Sequence, residues 1–66
     1  MKETIYQMIV NYYQTNQTGM TASWIFDTFI EQGITNVSSK EIDDALAQLL
    51  SESKIIWLAG DFYRPN

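Results

Sequence analysis

The 66-residue chain has no cysteine, no histidine, a single proline, three glycines and only four basic residues. Without cysteine there is no disulfide, and without cysteine and histidine the usual zinc sites are excluded, so no covalent or metal staple supplements the fold. The same absences remove Ser-His-Asp and Cys-His nucleophilic sites and leave only carboxylate, lysine or tyrosine mechanisms. No convergent acid, base and nucleophile can be assembled from what remains, so the expectation is a protein that is not an enzyme and carries no cofactor or metal. No apolar run approaches the roughly 20 residues of a spanning helix, and the N-terminal Met1–Gln14 segment has neither a signal-peptide apolar core nor a cleavage site. The cytoplasm is therefore the expected compartment, without membrane contact.

What the chain does have is apolar and aromatic side chains, 45% and 14% of residues, including four Tyr, three Phe and two Trp. A single domain of this size buries only about 60% of the surface that its unfolded form exposes, so packing must be dense and stability low. Eight acidic residues against four basic ones give a formal charge of −4. That balance disfavours a general nucleic-acid or anionic-membrane binder.

Periodicity predicts three helices. Over residues 2–15, Ile5, Met8, Ile9, Tyr12 and Tyr13 recur at helical spacing, with Glu3, Gln7, Asn11 and Gln14 opposite. Tyr6, Val10 and Tyr13 widen that stripe, either to pack against a C-terminal hairpin or to form a homodimer face. Residues 21–33 form a second helix, with Thr21 as N-cap, Ala22, Ile25, Phe26, Phe29 and Ile30 as its apolar stripe, and Gly33 as a left-handed stop. Residues 38–52 form a third. It opens on a capping box, Ser38 with Glu41, and carries Ile42, Ala45, Leu46, Leu49 and Leu50 inward.

The tail then changes period. Two β-prone runs, 54–59 and 62–65, flank Gly60-Asp61, a hairpin signal. Of the uninterrupted apolar run Ile55-Ile56-Trp57-Leu58, one alternate half is core; the other half is left outside and is a candidate interaction surface, because such a run suggests burial on both faces of its strand. The expected class is α+β, mainly α, in one domain spanning 1–66.

Three helices leading into a hairpin resemble the winged helix-turn-helix superfamily. The resemblance rests on Thr21 to Gly33 as the second helix, Ser38 to Leu50 as the third, and Lys54 to Tyr63 as the wing. It implies a short strand before the second helix, near Gly19-Met20. It also implies DNA binding, with the third helix in the major groove and the wing on the backbone or minor groove. On that reading Lys40, Gln48, Ser51, Tyr63 and Arg64 are the DNA-contact candidates of a dimeric transcriptional regulator.

The charges point elsewhere. Residues 38–54 set Lys40 and Lys54 against Glu41, Asp43, Asp44 and Glu52, whereas phosphate affinity comes largely from Lys and Arg displacing counterions. The first expectation is therefore a small acidic regulatory module that binds a protein partner or a second copy. Its interface candidates are Trp24, Tyr6, Val10, Tyr13, Ile56, Trp57 and Leu58, with Asp43 and Asp44 on the outer face of the third helix. Trp24 stands out because it lies opposite the apolar stripe of its helix, beside Asp27 and Glu31.

Overall fold

The computed structural model describes all 66 residues, in the order α1 (Lys2–Asn16), β1 (Met20–Thr21), α2 (Ala22–Glu31), α3 (Ser39–Ser51), β2 (Ile55–Leu58) and β3 (Phe62–Pro65). The strands form one antiparallel sheet in the order β1-β3-β2. This α+β arrangement is consistent with a winged-helix layout. Each element lies within two residues of its expected bounds, the differences falling on caps and turn residues. The short strand expected near Gly19-Met20 is Met20–Thr21, paired to Tyr63 and Phe62.

Local chemistry sets the helix ends. The Thr21 side chain accepts a hydrogen bond from the Trp24 N–H at 3.1 Å. At the start of α3 the Ser38 hydroxyl accepts from the Glu41 N–H while the Glu41 carboxylate accepts from the Ser38 N–H, a complete capping box. Helix α2 closes with Gly33 at φ +80°, the Gly33 N–H donating to the Ile30 carbonyl and the Ile34 N–H to that of Phe29. That pair of bonds is a Schellman motif.

Helix α3 ends in the same motif, with Ser53 and Lys54 donating to the carbonyls of Leu50 and Leu49. Here, however, the left-handed position is taken by serine, at φ +58°. A side chain costs about 1 kcal/mol there relative to glycine. Ser53→Gly is accordingly expected to stabilise the fold by about 0.5–1 kcal/mol, read as an upward shift in the urea midpoint with an unchanged slope.

Eleven buried hydrophobic residues make one core: Ile5 and Ile9 from α1, Met20 from β1, Ile25 and Phe29 from α2, Val37 from the loop, Ile42, Ala45, Leu46 and Leu49 from α3, and Ile55 from β2. The α3 stripe is buried as expected, apart from half-buried Leu50. The α2 stripe is not: Ala22 and Phe26 are half-buried and Ile30 is exposed. In α1 only Ile5 and Ile9 are buried, while Met8 and Tyr12 pack against the core from its margin.

The expectation that one alternate half of the hairpin strand is core is met only at its root. Ile55 is buried and Ile56 half-buried, but Trp57 is 57% exposed and Leu58 38%. Only the root of β2 reaches the helical core, and the strand then runs out beyond it.

Candidate functional site

Strand parity decides which hairpin side chains share a surface. Trp57 is the direct antiparallel partner of Tyr63, so the two side chains stand on one face, whereas Ile56 faces with its own partner Arg64 on the other. The three-residue turn from β2 to β3 carries Gly60 and Asp61 at φ +83° and +61°. It folds Asp61 back, so that the Trp57 indole Nε1–H donates to Asp61 Oδ1 at 3.2 Å. An exposed tryptophan is thereby held by a carboxylate, and this contact, four residues apart across the turn, was not anticipated from sequence.

Partial burial, with the charges of Asp61 and Asp43 close by, raises the Tyr63 phenol above its ordinary range. Asp43, whose charge contributes least to that rise, lies on the exposed side of α3. Asp43 also borders a groove of about 280 Å³ between α2 and α3, together with Asp27, Ser23, Phe26 and Ser39. Trp57, Asp61 and Tyr63 thus lie together on the wing, and Asp43 and Asp27 border the groove between α2 and α3.

The raised phenol has a testable consequence. The absorbance difference between the wild type and Tyr63→Phe at alkaline pH is expected to titrate above the ordinary tyrosine range. Because the folded state holds the proton longer than the unfolded one, Tyr63 contributes stability that is present below the unfolded tyrosine pKa of about 10 and lost as pH rises beyond it.

On the opposite face of the hairpin, the Arg64 guanidinium lies over the Tyr13 ring at 4.8 Å. Phe62 meets Trp24 edge-on at 6.2 Å, and Trp24 in turn lies 5.6 Å from Tyr12. Trp24 is 43% exposed, yet its ring bridges α1 and β3. Tyr6, Val10 and Tyr13 are half-buried on α1, with the Lys54 ammonium 5.6 Å from the centre of the Tyr6 ring. The interface candidates therefore divide between two regions. Trp57 stands on the Tyr63 face of the hairpin and Asp43 on the exposed side of α3, while Ile56 and Leu58 share the opposite face with Arg64 and Phe62, which Tyr13 and Trp24 meet, and Tyr6 and Val10 are half-buried on α1.

The DNA-contact candidates do not converge either. Arg64 faces α1 and so lies on the other side of the sheet from Tyr63. The Ser51 hydroxyl donates to the Gln48 carbonyl of its own helix. Lys40 pairs with Asp44 at 2.9 Å, and this carboxylate holds the ammonium above its ordinary pKa. Gln48 alone stands exposed with no side-chain hydrogen bond to the protein.

Every other cation is engaged too. Lys2 bonds Glu52 at 2.6 Å, lowering the Glu52 pKa, and Lys54 lies 3.8 Å from Glu52 and 4.0 Å from Glu3. This cluster ties the start of α1 to the end of α3. It leaves Asp27, Glu31, Glu41, Asp43 and Asp61 without a cationic partner.

A larger open groove, about 690 Å³, runs between α1 and α2 and is lined mainly by amide and hydroxyl side chains such as Gln7, Asn11, Thr28 and Gln32. No cluster of carboxylates is arranged to hold a metal ion, and no helix is long and apolar enough to cross a membrane. Comparison with protein-family models, with curated proteins and with solved structures finds no match for this chain.

Proposed function

We propose that this protein is a non-enzymatic interaction module that receives a positively charged protein segment on the surface shared by α3 and the wing. The observation that carries the reading is Trp57, exposed, held by Asp61 and standing beside Tyr63 with Asp43 nearby. Aromatic faces flanked by carboxylates suit lysine or arginine side chains, which gain a cation–π contact and a charge partner together. Complementary charge contributes mainly association rate and partner choice, while a central tryptophan supplies affinity.

The winged-helix layout makes DNA binding the competing reading. It sits poorly with the charges, since Lys40 on α3 is surrounded by Glu41, Asp43 and Asp44, and Arg64 is turned towards α1. Counterion release needs several cations on one surface.

Fluorescence anisotropy at about 50 mM salt separates the two, because electrostatic DNA affinity is greatest at low salt. A labelled Lys/Arg-rich peptide is expected to bind, and more weakly to Trp57→Ala and to Asp43→Asn/Asp61→Asn, while duplex DNA gives no change. Tight duplex binding lost on Lys40→Ala or Arg64→Ala, with no response to the peptide, overturns the proposal.

A further inference from the structure

Trp57 and Asp61 form a unit whose geometry discriminates between the two basic side chains. An indole N–H points outward in the plane of its ring, so the bond from Trp57 Nε1 to Asp61 Oδ1 at 3.2 Å sets the carboxylate at the rim of the indole and leaves the ring faces clear of it. Trp57 is exposed, and no other ring of the chain lies against it. Asp61 Oδ2 receives no hydrogen bond from the chain, and no lysine or arginine of the chain pairs with this carboxylate.

A flat ring face bordered by a free carboxylate oxygen suits a flat cation. A guanidinium can lie on the indole and turn one edge N–H to Asp61 Oδ2, keeping the ring contact and the charge-assisted bond at once. An ammonium is a compact and strongly hydrated charge. On an open surface it keeps much of its water, whether it sits over the ring or beside the carboxylate.

The cations of the chain divide in the same way. Lys2, Lys40 and Lys54 each lie within 4.0 Å of a carboxylate. Arg64 pairs with none and lies instead over the Tyr13 ring at 4.8 Å.

We infer that, within the basic-segment site proposed above and resting on it, Trp57 and Asp61 select arginine over lysine, with an arginine of the partner stacked on the indole and donating to Asp61 Oδ2. The turn holds the pair ready. Asp61 occupies φ +61°, a left-handed conformation that Gly, Asn and Asp adopt most readily, and the cross-strand pairing of Trp57 with Tyr63 anchors the base of the indole. The carboxylate is in place before the partner arrives, which reduces the ordering cost of binding.

Two labelled peptides of equal length and charge, one with arginine and the other with lysine at every basic position, test the selection by anisotropy on the full chain at about 50 mM salt. The arginine peptide is expected to bind about three- to tenfold more tightly. Asp61→Asn keeps an oxygen for the indole N–H and tolerates the left-handed turn position, so it removes the charge alone. It is expected to weaken the arginine peptide more than the lysine peptide and to bring the ratio of affinities near one, as is Trp57→Leu.

In proton–nitrogen correlation spectra, the Trp57 indole Nε1–H resonance, identified by its absence from Trp57→Leu, is expected to shift with the arginine peptide and much less with the lysine peptide. Equal affinities for the two peptides, or a preference that survives both substitutions in folded proteins, overturns arginine selection and leaves the binding of a basic segment standing. Failure of both peptides to bind overturns the two together.

Discussion

Replacing Leu49 with alanine is expected to cost about 3 kcal/mol and to leave a substantial unfolded population at room temperature. Leu49 is fully buried in α3 at the centre of the eleven-residue core. Its carbonyl also accepts the Lys54 N–H that closes the helix. A truncation there removes the transfer free energy of the lost atoms and leaves a cavity that α1 and α3 cannot both close. In a chain this short a single core rarely supplies more than about 3–5 kcal/mol in total, so the loss is most of the stability available.

Thermal unfolding followed by circular dichroism should show a fall in Tm of roughly 10–25 °C, the steep response of small domains. Leu49→Met keeps the volume and is expected to cost under about 1.5 kcal/mol. Equal losses from the two variants would show that volume at this position is not what stabilises the core.

The elements that were legible in the sequence are those whose chemistry is local. Thr21, Ser38 with Glu41, and Gly33 announce helix ends because their partners lie within a few residues. The α3 stripe was legible because α3 packs on both α1 and α2, so every apolar position on its inner side finds a neighbour. Where the apolar stripe is broader than the surface facing it, periodicity overstates burial, as at Ile30.

Val37 and Met20 show the reverse. Both are buried, but each sits in a loop or a two-residue strand, too short for any period to register. The candidate site was legible residue by residue and not as a constellation. Parity alone separates Tyr63 from Arg64. The proximity of Asp43 to the wing depends on how α3 is set against the sheet, which no local pattern encodes.

The β1–β3 contact illustrates a dependence of that non-local kind, and Gly19→Ala is expected to break it. Gly19 is buried immediately before β1, and a Cβ there would lie 2.8 Å from the Tyr63 carbonyl oxygen and 3.1 Å from Phe62 Cβ. The obstructing oxygen is backbone and cannot rotate away, so either β1 must separate from β3 or β3 must shift.

Overpacking of this type costs about 1–3 kcal/mol. Its consequences differ from those of Gly33→Ala, where nothing lies within 4 Å and the penalty comes only from φ +80°, about 1 kcal/mol. Displacing β3 also moves Tyr63 and Phe62, so Gly19→Ala should alter the near-ultraviolet circular dichroism of the aromatic contacts as well as lower Tm, whereas Gly33→Ala should lower Tm alone. A Gly19→Ala protein with wild-type near-ultraviolet signal and Tm would mean that β1 can yield without disturbing the wing, and that the hairpin is held in place by α1 through Arg64 and Tyr13 instead.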